Sequence, residues 1–241
     1  EINKLIKATE EHFGVEITKE KLAEAIKLHN ETRRLQQEIY EMQKGEEVYL
    51  TGLELLMVML AGVSLPRPEY NKMMKDLIAA LKANGPRVKP KVRLLYTGGH
   101  ADNPEFFDLL QQNDAHVVSD NTGFGTRAAD VLIREDGEPL EAIIDYYFEE
   151  KPAATRQMGT QVERMERLLD LVKQYKADGV VASRLYMCDL WAFEHFLMRK
   201  RLHENNVPFL ELEVDYTPEG QGQIKTRVQA FVESLADRQT A

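Results

Sequence analysis

The stretch K-A-D-G-V-V-A-S-R-L-Y-M-C-D-L-W-A-F, residues 176–193, shows how this chain is built. Residues 179–185 are a short, mostly apolar run opened by Asp178-Gly179, the mark of a buried strand. From Asp189 the spacing turns helical. Leu190, Phe193, Leu197 and Met198 are predicted on one buried face, with Asp189 as the expected N-cap. Cys188, the only cysteine of the chain, therefore stands where a strand hands over to a helix. In an open α/β sheet that handover lies on the carboxyl edge, where ligands bind. A thiolate placed there faces the positive end of the following helix. A lone cysteine in a reducing compartment is ordinarily a small buried hydrophobe, so position alone does not make Cys188 a site.

On either side the same texture repeats. Residues 208–214 read as a strand and 221–235 as the last helix. Upstream, 161–175 is an amphipathic helix with Val162, Met165, Leu168, Leu169 and Val172 on one face. Residues 92–96 and 116–119 are further strands. A Gly98-Gly99-His100 loop follows the first, then a helix capped by Asn103-Pro104 and running to Leu110. Helices are expected at 127–134 and 139–148. Alternating strands and helices pair in parallel through right-handed crossovers. The expected fold is α/β, a small open parallel sheet with flanking helices, preceded by a helical segment. Loops 98–102, 120–127, 186–189 and 215–222 then converge on one edge.

Residues 1–85 are helical by pattern. Ile2, Leu5, Ile6 and Phe13 define a short amphipathic helix ended by Gly14, Thr18 caps a long one, and T-G-L-E at 51–54 is a capping box. The basic, Pro-rich run G-P-R-V-K-P-K at 85–91 is the expected boundary. It divides a helical segment, 1–85, from an α/β domain, 91–241. The chain opens on Glu1 inside a helical pattern, as a piece of a longer polypeptide would. On that reading, 1–85 is a linker or brace to a preceding domain.

A net charge of −9 and the lack of a basic stripe with interleaved aromatics argue against a nucleic-acid partner. One cysteine excludes an internal disulfide framework and fits a reducing cytoplasm. The longest apolar runs, such as 53–63, are too short to span a membrane, and the start is no signal peptide.

Several familiar sites are absent. Gly123-Phe124-Gly125 lacks the third glycine of a dinucleotide fingerprint, there is no Walker lysine motif, and there is no G-x-S-x-G elbow. His195 and His203 are too far apart on one helix to share a metal and are expected at a surface or interface. His100, in a strand-end loop, is a lesser catalytic candidate, and a Cys188–His100 nucleophile pair across the sheet edge is conceivable. Asp215, Tyr216 and Glu219 suit helix capping better than substrate orientation. Arg127 and Arg227 suit either phosphate or carboxylate binding or structural ion pairs. For Arg227, mid-helix beside Val228, the structural role is favoured.

Taken with its flanks, the Cys188 stretch is distinctive. Y-K-A-D-G-V-V (175–181) leads to M-C-D-L-W-A-F-E (187–194). N-V-P-F-L-E-L-E-V-D-Y (206–216) and G-Q-I-K-T-R-V-Q-A-F (222–231) follow. Upstream stand D-N-P-E-F-F-D-L-L (102–110) and R-Q-M-G-T-Q-V-E-R-M-E-R-L (156–168). In order and spacing these resemble the C-terminal portion of the benzoyl-CoA reductase / 2-hydroxyacyl-CoA dehydratase family. The resemblance covers essentially the whole chain.

It implies an iron–sulfur subunit of an anaerobic multi-subunit enzyme acting on acyl-CoA thioesters. A homologous partner subunit and an ATP-dependent activator iron–sulfur protein supply the rest of the machinery. The cluster is expected to be [4Fe–4S], with Cys188 as one metal ligand. The other two cysteines are expected in a preceding α/β domain outside this chain, which holds no other cysteine; near Pro152-Ala153-Ala154, where some relatives hold cysteine, it has alanine. In the reductases the electrons enter an aromatic ring, and in the dehydratases a ketyl radical permits loss of water from a 2-hydroxyacyl-CoA. The run D-L-W-A-F-E leans toward the reductase type, with the dehydratase type as the alternative. A cluster-free scaffold or small-molecule-binding subunit is the contrasting reading.

Overall fold

The computed structural model describes residues 1–99, 102–112, 114–215 and 221–240. Its strands are β1 (Val92–Gly98), β2 (Ala115–Asn121), β3 (Gly179–Leu185) and β4 (Phe209–Val214), ordered β2-β1-β3-β4. Every pairing is parallel, as the alternation of strands with helices requires. One irregularity falls between Leu94 and Leu95, where the partners on β2 step from Val117 to Ser119. β1 is buried along its whole length, whereas the edge strand β4 is not. A strand covered on both faces reads as an unbroken apolar run, which is why V-R-L-L-Y-T-G and G-V-V-A-S were legible.

Helices α1 (Ile2–Phe13), α2 (Lys19–Glu41), α3 (Gly52–Ser64) and α4 (Arg67–Asn84) precede β1, and α5 (Pro104–Leu110) joins β1 to β2. Between β2 and β3 come α6 (Thr126–Ala129), α7 (Pro139–Asp145), a π-helical turn (Tyr146–Glu150) and α8 (Gln161–Gln174). Helix α9 (Asp189–Glu204) leads to β4, and α10 (Gln221–Thr240) ends the chain described. On one sheet face Leu95, Val180 and Ala182 pack with Ile39, Met74, Leu168 and Met198. On the other, Leu94, Tyr96 and Val181 pack with Phe107, Val228 and Val232. The expected class, an open parallel sheet with helices on both sides and helices before it, is the one found.

Local chemistry sets the helix starts. Thr51 Oγ1 accepts from the Glu54 amide at 3.3 Å while Glu54 Oε2 accepts from the Thr51 amide at 2.8 Å, the expected capping box. Thr18 caps α2 and Asn103 caps α5 by a single bond each, their side-chain oxygens accepting from the amides of Lys21 and Phe106. Arg93, on β1, ties the turn after α2 to the sheet by donating to the carbonyls of Gln43 and Gly45, both at 2.9 Å. Helix α1 is amphipathic as expected, yet none of its residues is buried.

Two helices end earlier than the periodicity suggests. The expected helix 127–134 is helical only to Ala129, because side chains of α2 take over the backbone beyond it. Gln37 donates to the carbonyl of Ala129 at 2.7 Å, and Asn30 bonds both the amide (2.9 Å) and the carbonyl (2.6 Å) of Ile133. The segment 139–148 is α-helical only to Asp145 and then widens into the π-turn, closed by Lys151 N donating to Tyr146 O at 2.8 Å.

Candidate functional site

The sheet order places β1 between β2 and β3, so the chain passes from β1 to β2 on one side and then crosses to β3 on the other. The crevice at the carboxyl ends of β1 and β3 is the position where open α/β sheets bind ligands. Across it the Tyr96 hydroxyl meets Ser183 Oγ at 2.5 Å. Burial pushes the Tyr96 phenol well above its usual range, so it stays neutral. Trp191, in the first turn of α9, lies against Gly99, where any Cβ would fall 2.7 Å from the indole Cδ1. A glycine at the end of β1 is thus what lets α9 seat over the crevice.

Cys188 is the N-cap of α9, one residue earlier than the expected Asp189. Met187 adopts a left-handed backbone with φ 63°, and this bend brings Cys188 into capping position. The Cys188 amide donates to Leu185 O at 3.1 Å and its carbonyl accepts from Ala192 at 2.9 Å. Its side chain caps nothing, and the residue is half-buried. The cysteine is therefore at the strand–helix handover on the carboxyl edge, rather than sealed in the core. Among the described residues no three His, Cys, Asp or Glu side chains converge as a metal site. Cys188 offers a single sulfur at a rim, and a complete set of metal ligands is not found among the described residues. His100, Tyr216 and Glu219 lie outside the described residues, and Asp215 is the last residue described before 216–220.

The loop after β2 is built on Asp120, which sequence reasoning did not single out. Its Oδ1 accepts from the Thr122 amide at 2.8 Å and hydroxyl at 2.7 Å, and its Oδ2 accepts from the Tyr40 hydroxyl of α2. Gly125 packs directly on this carboxylate, leaving no room for a Cβ. Arg167 of α8 donates to Asn121 and Thr126 and pairs with Asp130 at 2.6 Å. Arg127 differs, because its Nε is buried without a hydrogen-bond partner among the described residues. Burial first, and then the nearby Arg167, lower its pKa.

The inward face of α9 also departs from the expectation. Leu190 and Phe193 are exposed, 47% and 60%, while Glu194, His195, Met198 and Leu202 are buried. The buried stripe is rotated by about a quarter turn from the apolar one, at roughly 100° per residue. Glu194 turns inward because Arg164 of α8 meets it with two hydrogen bonds, 2.7 and 2.8 Å. Arg164 could have been read from the sequence, since it shares the 164, 168, 172 stripe of α8. His195, expected at a surface or interface, is fully buried between Trp191 and Phe209. His203 is exposed as expected. Arg227 donates to the Glu211 carbonyl at 2.6 Å, the structural role favoured for it.

The family described as 2-hydroxyglutaryl-CoA dehydratase, D-component (HGD-D) matches residues 1–235. A presumed dehydratase subunit, YjiM, of Escherichia coli (strain K12) is 28% identical over 98% of this chain and 62% of its own length. The (R)-phenyllactyl-CoA dehydratase beta subunit of Clostridium sporogenes is 24% identical over 95% of this chain and 61% of its own. A benzoyl-CoA reductase subunit of Thauera aromatica is 24% identical over 98% and 62%. The chain thus spans about three fifths of the length of these curated relatives.

Proposed function

We infer that this chain, which belongs to the 2-hydroxyglutaryl-CoA dehydratase D-component family, is part of an enzyme subunit acting on a CoA thioester. The observation that carries the reading is the placement of Cys188, half-buried at the N-cap of α9 on the carboxyl edge of the sheet. In this reading Cys188 is one ligand of an iron–sulfur cluster, [4Fe–4S] in type, whose other cysteines come from polypeptide outside this chain. When bound, such a cluster supplies electrons at low potential. The chain's own part is to hold one thiolate at the positive end of α9 and to seat Trp191 over the adjoining crevice. Residues 1–85 brace the α/β unit, 91–241, against a further domain.

An ATP-dependent activator protein delivers the electrons, and a homologous subunit completes the assembly in the cytoplasm. The exposed apolar stripe of Met187, Leu190, Phe193 and Phe196 supports a subunit contact beside the cysteine. Among the described residues no helix is long and apolar enough to cross a membrane. The substrate class proposed is a 2-hydroxyacyl-CoA undergoing loss of water, since the family description and two of the three relatives above are dehydratases by name. Aromatic ring reduction is the second reading, favoured by the D-L-W-A-F-E run and by the benzoyl-CoA reductase relative.

The test is iron and acid-labile sulfide content of the full natural polypeptide, purified without oxygen, beside its Cys188→Ala variant. Stoichiometric iron in the parent and its loss in the variant are expected. Equal iron in both proteins, or none in either, overturns the assignment of Cys188. Activator-dependent turnover of a 2-hydroxyacyl-CoA against an aryl-CoA then decides between the two reactions.

A further inference from the structure

The two edges of the sheet are finished differently. β2 is buried at every position but one, and the start of α3 closes on it, where a Cβ on Gly52 would fall 2.8 Å from the Val117 carbonyl oxygen. β4 is buried at only three of its six positions. Val180 N donates to Pro208 O and Tyr186 N to Val214 O, both at 2.9 Å. The even-numbered carbonyls of β4 therefore turn to β3, and the backbone groups of Phe209, Glu211 and Glu213 turn outward. An open row of this kind is a template for one more strand.

Along this edge runs a groove of about 600 Å³. The backbone from Asn206 to Glu211 lines it, between the end of α9, with Arg199 and His203, and α10, with Arg227 and Arg238. The two arginines of α10 are eleven residues apart, which sets them on one face of the helix, about 16 Å apart along its axis. An extended chain covers that distance with about five residues. The groove thus has the length and the backbone groups for a short fifth strand. It lies at the far end of α9 from Cys188.

Its charge is one-sided. Glu211 is the one carboxylate among the described residues that line it, and Arg199 and Arg184 already meet that carboxylate. Glu213 lies outside the groove and pairs with Arg184. Arg227 spends its Nη2 on the Glu211 carbonyl at 2.6 Å, and neither it nor Arg238 has an ion pair among the described residues. The chain as a whole carries a net charge of −9, so the positive edge stands against the general trend. A second copy of this edge would set arginines against arginines. The charge selects an acidic partner instead.

We propose that the outer edge of β4 accepts an extended, acidic segment of a partner polypeptide as a fifth strand. The segment bonds the outward backbone groups of Phe209 and Glu211, and its carboxylates, at alternate positions, face Arg227 and Arg238. Its intervening apolar side chains face the α9 side, where the Phe209 ring lies against His195. Arg227 shields the Glu211 carbonyl in the free chain and releases it to the incoming strand, exchanging a carbonyl for a carboxylate. That exchange favours an acidic segment over a neutral one, because hydrogen bonds between charged groups are the stronger.

Fluorescence anisotropy of the full natural polypeptide with three labelled, end-blocked octapeptides tests this. One alternates valine and glutamate, one alternates valine and lysine, and the third is the acidic peptide with alternate amides N-methylated. The acidic peptide should bind the parent and lose about fivefold in affinity in Arg227→Gln and in Arg238→Gln, and about twentyfold in the double variant. Lys200→Gln, outside the groove, should leave its affinity unchanged. On binding to the parent, amide hydrogen exchange at Phe209 and Glu211 should slow, a readout that needs no variant. Equal binding of the lysine or the N-methylated peptide, unchanged exchange at both amides, or no binding of the acidic peptide overturns the proposal. Self-association of the parent that the acidic peptide competes away would give the groove to a second copy and overturn it equally. None of these readouts depends on the iron content that tests Cys188.

Discussion

Arg164 and Glu194 face each other through two hydrogen bonds, Nε to Oε1 at 2.7 Å and Nη2 to Oε2 at 2.8 Å, with side chains only 7% and 3% exposed. Arg164 also donates to the carbonyl of Gln157 at 3.0 Å and to the Thr160 hydroxyl at 2.6 Å. One guanidinium thereby fixes the approach to α8 and the second turn of α9, the helix that Cys188 caps. Cutting either partner leaves a buried charge uncompensated. Arg164→Met and Glu194→Leu should each cost about 3–5 kcal/mol in chemical denaturation. The double variant should cost clearly less than their sum. Additive losses would show that the pair is not coupled as its geometry indicates.

His195 gives a pH dependence of stability with a definite sign. Burial lowers its pKa. The Glu211 carboxylate on β4 opposes this, and Arg184 on β3 reinforces it. Nδ1 stands 3.4 Å from Glu211 Oε1, and neither ring nitrogen finds a hydrogen-bond partner of good geometry among the described residues. A histidine with a depressed folded pKa binds fewer protons folded than unfolded. Its contribution is therefore complete above the unfolded value of about 6.5 and is lost as pH falls from there toward the folded pKa. Denaturation midpoints should decline between about pH 7 and pH 5, more steeply in the parent than in His195→Phe. Parallel declines would assign the acid sensitivity to other groups.

Gly125 lies against the Asp120 carboxylate that organises the loop after β2. Gly125→Ala forces a methyl into that contact and should destabilise the protein by about 1–3 kcal/mol, the usual range for overpacking. Gly123→Ala, with only a 3.5 Å approach to a flexible arginine tip, should be nearly neutral. Thermal unfolding of the two variants side by side is the check, and equal effects would contradict the packing described.

Trp191 is the only tryptophan, so its fluorescence reports on the crevice without background. Gly99→Ala must push the indole off the end of β1. A red-shifted emission and faster acrylamide quenching are expected, with a modest stability loss because a side chain can swing where a backbone cannot. An unchanged spectrum would mean that the indole is not seated on Gly99.

Much of the architecture was legible because burial leaves a periodic trace. The apolar runs at 92–96 and 179–185 had to be covered strands, and their alternation with helices required parallel pairing. Thr51–Glu54 and Asn103 announced their helices through local hydrogen bonds alone. Where prediction failed, the cause was a long-range partner. The helix expected at 127–134 stops at Ala129 because Gln37 and Asn30, roughly a hundred residues away in sequence, satisfy its backbone. The inward face of α9 is set by Arg164 and by the sheet, so polar Glu194 and His195 displace Leu190 and Phe193 from the interior.

Local spacing and residue order were enough for the fold class, the strand–helix handover at Cys188 and the family. They could not show that Cys188 stays half-exposed as an N-cap, that Asp120 anchors the neighbouring loop, or that Arg164 and Glu194 meet in the interior. Those features came from packing in three dimensions. The difference lies in the range of the forces involved. Backbone hydrogen bonding and apolar periodicity act over a few residues of chain. The pairing, or the lack of pairing, of buried charges depends on which distant side chains the fold brings within a few ångströms.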